Sequence, residues 1–377
     1  MRRVALGWSA LEGTMRTHAL IVVLLAACGG APKKPPATPA PPDGEGKAEP
    51  TPDVGQGEPN QGEPKPTEQA CGGKPLVVKA YDAGQALAML VTLPDGRHIL
   101  VDTGESPKKK KEWHERVMQG LKADVPDGKI ELVWITHQHS DHLGGVPDVF
   151  KTFEVAHYVD NGSTPKPVTQ VFTDAVTAAK KEAKLTEIKP GHTTLPIAGG
   201  PDVTLTAIAP SKWPSKCEDE PNDCSIALRI DYCQSSALFV GDAEAKEEEL
   251  LDVKHATLLQ VGHHGSDTSS SDAFVKKVEP SYAIMSPGQP FEGTNKTYCH
   301  PIRKTIETLN ASMGGPGTKT IHAFNGLAYG PSCKDSKSNP GDWSDVPAAD
   351  NIFVTSRDGS VTFTTTGNGK FSVATEK

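Results

Sequence analysis

Four metal-ligand side chains fall within six residues in the segment Thr136-His137-Gln138-His139-Ser140-Asp141-His142. Imidazole and carboxylate are donors that zinc, manganese and iron share, so the pattern marks a metal site without choosing the metal. The residues just before it, Ile130-Glu131-Leu132-Val133-Trp134-Ile135, read as a buried strand. A strand ending in a His-x-His-x-Asp-His loop can present one ligand pair to each of two adjacent ions. His137 and His139 would face the first, and Asp141 and His142 the second. The competing explanation is a polar loop with coincidental composition.

The elements that must position this loop can be read around it. Residues 75–80, 86–93 and 98–102 read as strands joined by Gly-containing turns, and 108–123 as a charged helix. A short helix over 147–153, a strand over 155–159 and an Ala- and Lys-rich helix over 168–184 follow. Strands over 203–209, 225–232 and 236–240 precede a helix at 244–251, a strand at 256–261 and a helix at 272–278. A strand at 283–286 and a helix at 303–309 close the series. This alternation suits an α/β sandwich rather than an all-α or all-β fold.

The motif resembles that of the metallo-β-lactamase superfamily, and three further segments are similar in order. Ile99-Leu100-Val101-Asp102-Thr103-Gly104 looks like its strand ending in Asp-x-Gly. Phe239-Val240-Gly241-Asp242 looks like the strand that supplies a metal-bridging carboxylate, and Val261-Gly262-His263-His264-Gly265-Ser266 looks like the last ligand motif. The His-His-Gly-Ser form, Gly84-Gln85, Asn222-Asp223-Cys224-Ser225, His300-Pro301 and the closing segment 355–361 resemble the subgroup of soluble hydrolase domains of ComEC-type competence proteins. The resemblance implies a four-layer αββα sandwich, with two divalent ions, zinc or manganese, bridged by Asp242.

Two features depart from the family pattern. A His that many members carry ahead of the bridging Asp is missing; Asn222, Asp223 or water could stand in, and His157 and His192 are distant alternatives. The ion at His137 and His139 should then bind more weakly than its partner. The subgroup's Gly-Gln-Gly-Asp is Gly84-Gln85-Ala86-Leu87 here, which removes a carboxylate. Between the adjacent His263 and His264, strand geometry lets one reach an ion easily. His263 is the favoured ligand, with His264 directed at substrate. Asp141, His264 and His300 are the catalytic candidates, with His300 either binding developing negative charge, donating a proton, or simply fixing the loop at Pro301.

The 377 residues suffice for one large domain or two small ones. Residues 19–27 form an apolar run of signal-peptide length, and Leu25-Ala26-Ala27-Cys28 resembles a lipobox, which makes residues 1–28 a lipoprotein signal and Cys28 the lipidated residue. Residues 29–74 are dominated by Pro, Gly, Glu and Lys and read as a disordered tether. The hydrolase domain is then 75–377, in the cell envelope outside the cytoplasm. Six further cysteines suggest up to three disulfides. Cys217 and Cys224 flank a short loop, Cys299 and Cys333 bracket the last helix, and Cys71 and Cys233 remain by elimination. Two bridged ions would activate water for hydrolysis of a phosphoester, thioester, lactone or β-lactam. A phosphoester, either a small molecule or a nucleic acid, is the leading substrate. The net charge of −8 gives no basic nucleic-acid footprint.

Overall fold

The computed structural model describes residue 71, residues 73–333 and residues 338–377. The expected signal segment with Cys28 and nearly all of the tether lie outside the described residues. The first half of the domain runs β1 (Leu76–Ala80), β2 (Met89–Thr92), β3 (His98–Val101), α1 (Pro107–Asp124), β4 (Lys129–Trp134), α2 (Ser140–Leu143), α3 (Val146–Thr152), β5 (Glu154–Asp160), α4 (Gln170–Glu182) and β6 (Lys184–Glu187). The second runs β7 (Val203–Ile208), β8 (Ala227–Tyr232), β9 (Ser235–Phe239), α5 (Ala245–Glu248), β10 (Leu258–Gln260), α6 (Asp272–Val278), β11 (Tyr282–Met285), α7 (Asn295–Tyr298) and α8 (Arg303–Ser312). The chain closes with β12 (Lys319–Phe324), β13 (Trp343–Ala348), β14 (Ile352–Val354), α9 (Thr355–Asp358), β15 (Val361–Thr365) and β16 (Ser372–Thr375).

Among the described residues these strands make one sheet in the order β16-β15-β1-β2-β3-β4-β5-β6 and a second in the order β14-β11-β10-β9-β8-β7. From β3 to β6 the pairing is parallel, which demands crossover connections, and α1, α2 with α3, and α4 supply them. Successive side chains of β4 point to opposite faces: Leu132 and Trp134 enter the core between the sheets, while Val133 enters the core beneath the outer helices. That two-sided burial is why β4 reads as a continuous apolar run. Val117 and Leu121 of α1, Val149 of α3 and Ala175 of α4 cover the first sheet. Phe274 and Val278 of α6, with Ile306 and Leu309 of α8, cover the second. The result is the four-layer αββα sandwich.

Local signals account for several boundaries. Ser106 accepts a hydrogen bond from the Lys108 N–H at 3.3 Å, and Pro107 opens α1, the usual chemistry of a helix start. The structure also departs from the sequence reading. The helix expected over 244–251 is confined to Ala245–Glu248, and the closing segment at 355 begins with a helical turn, α9, ahead of β15. β6 and the antiparallel ribbon of β12 with β13 are additional strands. Cys71–Cys233, Cys217–Cys224 and Cys299–Cys333 are bonded, with Cα separations of 6.3, 5.5 and 6.1 Å. The first of them ties the chain to the second sheet already at residue 71.

Candidate metal centre

Asp102 follows β3, the His-rich loop follows β4, Asp242 follows β9, and His263 and His264 follow β10. All four segments leave the carboxyl ends of their strands, and their side chains meet. His137 Nε2 and His139 Nδ1 lie 3.1 Å apart. Donor atoms of Asp141, His142 and His264 cluster within 4.8 Å of one another, as do those of His137, His142 and Asp242. Asp242 Oδ2 is central: it lies 3.2 Å from His142 Nε2, 3.5 Å from His264 Nε2, 3.8 Å from His263 Nε2 and 3.9 Å from His137 Nε2.

These residues fit a pair of cations. His142 Nε2, His264 Nε2 and Asp242 Oδ1 are buried without a hydrogen-bond partner, and buried donor atoms left unpaired and converging are what a metal ion satisfies. The far side of each ring is already held. Asp102 Oδ2 takes His142 Nδ1 at 2.7 Å, the Ser286 carbonyl takes His264 Nδ1 at 3.1 Å, and Thr136 Oγ1 stands 3.2 Å from His137 Nδ1. Such outer partners orient a ligand and raise its basicity. Thr136 in turn donates to Asp102 from its N–H and its hydroxyl, both at 2.8 Å.

Charge reinforces the arrangement. Burial works to raise Asp242, but His142, His264 and His263 hold its carboxyl well below the ordinary range. Burial likewise opposes the charged form of His264, yet Asp242 and Asp141 raise it to about 9. His142 is raised well above its usual value, because Asp242 and Asp102 outweigh its burial. A cation competes with protons for these ring nitrogens, so its binding should strengthen as pH rises.

The structure brings His137, His139, Asp141, His142 and Asp242 together. Of the adjacent pair, His264 joins Asp141 and His142 in one donor cluster, while His263, the ligand favoured from the sequence, has its Nε2 3.8 Å from Asp242 Oδ2. Strand geometry does not apply there, because residues 262–265 form a tight turn in which His263 and His264 have φ of 49° and 54°. That left-handed backbone is costly for non-glycine residues and separates the ring centroids by 6.2 Å, so both rings face Asp242. His263 Nε2 instead meets Tyr329 Oη at 3.2 Å and Asn222 Nδ2 at 3.4 Å. Asn222 lines the cleft and its buried Oδ1 has no partner, whereas Asp223 turns to Ser215. His157, half-buried on β5, and His192, exposed in a turn, belong to neither donor cluster.

Further site residues carry weaker sequence signals. Asp102 opens the Asp-x-Gly segment after β3, and its contact with His142 Nδ1 at 2.7 Å, forty residues away, is what ties it to the site. Glu244, two residues past Asp242, lies 3.4 Å from His263 Nδ1. Tyr298 and Tyr329 line a cleft of about 340 Å³ together with Lys109, Lys166, His300 and Gln85, and no local pattern announces the two tyrosines or the two lysines. Leu87, where the family carboxylate is absent, is buried, and its N–H donates to the Asp141 carbonyl at 3.1 Å. Gly241 is required by space: its φ is 58°, and a Cβ there would come within 2.5 Å of the Thr136 side chain. Gly241→Ala should therefore lower stability by roughly 1–3 kcal/mol, read as a fall in the urea midpoint at unchanged slope.

Two sheets packed between helical layers, with histidines and aspartates gathered at their strand ends, make the metallo-β-lactamase fold. The chain belongs to the metallo-beta-lactamase superfamily, whose family profile matches residues 81–289, more than half of its 377 residues. It is 28% identical over 248 residues to ComE operon protein 3 of Bacillus subtilis (strain 168), covering 62% of this chain and 30% of that one. It is 27% identical over 223 residues to Recombination protein 2 of Haemophilus influenzae, covering 56% and 24%. To Competence protein ComA of Neisseria gonorrhoeae it is 27% identical over 239 residues, covering 62% and 29%. The chain thus spans less than a third of the length of these relatives, which agree with the resemblance to the competence-protein subgroup.

Proposed function

We propose that the chain is an exported metal-dependent hydrolase of phosphoesters, nucleic-acid phosphodiesters among them, anchored to the membrane through a lipid on Cys28. The observation that carries this reading is the convergence of Asp141, His142, His264 and His137 around Asp242, with buried donor atoms left unpaired. His137 and His139 would hold one ion, Asp141, His142 and His264 the other, and Asp242 would touch both. Zinc or manganese bound there would supply a water of lowered pKa and a Lewis acid for the ester oxygen.

The remaining walls suit an anionic ester. Lys109 and Lys166 bring exposed ammonium groups to the cleft, the first hydrogen-bonded to Ser140 at 2.6 Å and 3.7 Å from Glu105, the second paired with Glu218 at 2.6 Å, with Asp219 on the same wall. The relatives' names point to competence and recombination, processes that handle nucleic acid. Three disulfides support a location outside the reducing cytoplasm. Among the described residues no helix is long and apolar enough to cross a membrane. The lipid on Cys28 rests on the Leu25-Ala26-Ala27-Cys28 sequence.

The full chain, loaded in turn with zinc, manganese and cobalt, is expected to hydrolyse bis-p-nitrophenyl phosphate or single-stranded DNA, to stop on chelation and to resume when metal is returned. Silence with all three metals would sink the phosphoester reading. Turnover of nitrocefin alone would move the chain to β-lactam hydrolysis instead.

A further inference from the structure

His300 is fully buried, lines the cleft and packs near both His263 and His264, with ring centroids 5.4 and 6.4 Å away. Its Nδ1 lies 2.9 Å from Gln85 Nε2, and its Nε2 has no hydrogen-bond partner. The direction of the Nδ1 bond follows from the other end of the Gln85 amide. Gly288 N–H lies 2.9 Å from that end, and a backbone N–H can only donate, so the atom facing it is the carbonyl oxygen. The opposite end is then the NH₂ group, which also can only donate. His300 Nδ1 must accept, which leaves its proton on Nε2.

The surroundings keep this polarity from reversing. Asn295 is fully buried, and its Nδ2 donates to the carbonyls of Gly288 at 2.7 Å and of His300 at 2.6 Å. Its Oδ1 accepts the His300 N–H at 2.7 Å. One asparagine therefore ties together the backbones that hold both ends of the Gln85–His300 link. Gly288 also allows the close approach: a Cβ there would stand 3.0 Å from Gln85 N and 3.2 Å from Gln85 Cβ.

We infer that Gln85 is a positioning residue that sets His300 as a neutral Nε2–H hydrogen-bond donor to an oxygen of the phosphoryl group held in the cleft. This rests on the phosphoester reading above. A neutral imidazole N–H is a very weak acid, so the role is to stabilise charge that builds on the oxygen, not to hand over a proton. Of the three roles open to His300 from the sequence, the Nε2–H donor fits the binding of developing negative charge, and Gln85 holds the ring in that state.

Gln85→Glu tests it, because the carboxylate keeps the shape of the amide but can only accept. Gly288 N–H keeps its acceptor, while His300 must now present Nδ1–H. Long-range ¹H–¹⁵N correlation spectra of the zinc-loaded full chain, labelled at histidine, should show His300 as the Nε2–H tautomer. Inorganic phosphate should shift that resonance. In Gln85→Glu the ring should carry a proton on Nδ1, and kcat for bis-p-nitrophenyl phosphate should fall roughly tenfold to a hundredfold with KM little changed. Gln85→Ala should lower kcat as well without imposing the Nδ1 proton. An Nδ1–H tautomer in the unaltered protein overturns the inference, and so does full kcat in both variants. If phosphate shifts the Nε2–H resonance but no ester is cleaved, the phosphoester reading fails and the hydrogen-bond assignment stands.

Discussion

Asp242→Ala should yield a folded protein that no longer retains two metal ions and has lost ester hydrolysis by on the order of a thousandfold, about 4 kcal/mol of barrier. The expectation follows from position. Asp242 Oδ2 lies within 4 Å of four imidazole nitrogens, on both sides of the site, while Oδ1 has no protein partner. Removing the carboxylate therefore costs both ions a shared donor but costs the fold little. The backbone of residue 242 keeps its bond to Ser225 Oγ, and the two sheet cores are untouched. His137→Ala should mainly deplete one ion and His142→Ala the other. A residue that merely shaped the turn after β9 would behave in the opposite way, with a lower melting temperature at unchanged metal content. Metal analysis and thermal unfolding on the same sample distinguish the two, and full metal with full activity would refute the bridging role.

The neighbouring histidines should divide just as sharply. His264→Ala is expected to abolish binding of the ion shared with Asp141 and His142, because its Nε2 is 3.5 Å from Asp141 Oδ2 and its Nδ1 is fixed by the Ser286 carbonyl. His263→Ala should leave that ion in place, since its ring is engaged by Tyr329, Asn222 and Thr268. Titration calorimetry with zinc would show one site lost in His264→Ala and two retained in His263→Ala. The reverse pattern would restore His263 to the role that strand geometry gives it.

The contrast between those two residues marks where sequence stops being informative. His137, His139, Asp141 and His142 are legible because four ligands fall in one short loop and β4 before it is apolar on both faces. The order of apolar runs pointed to an α/β sandwich, its four-layer form came with the family resemblance, and all three cysteine pairs could be proposed from their spacing and by elimination. The split between His263 and His264 could not be read, because it depends on a left-handed turn held by tertiary contacts: the His263 N–H bonds to the Gly241 carbonyl at 3.1 Å. Gln85 and His300 are 215 residues apart, so no local pattern links them. The ribbon of β12 with β13 was hidden for another reason. Ser344, Asp345 and Pro347 interrupt any apolar alternation in β13, and its pairing with β12 is what makes it a strand.

Two of the three disulfides do not staple the sheets. Cys217–Cys224 closes the loop that carries Pro221 and Asn222 to the cleft, and Cys299–Cys333 joins the residue before His300 to the loop that carries Tyr329. The three large apolar cores contain neither of these bridges, whereas Cys299 and Cys333 belong to a small separate cluster with Ile302, Phe324 and Trp343. Reduction of these two bridges should therefore be felt first around the cleft, where Asn222 and Tyr329 flank His263, while both sheets keep the side chains they bury between them.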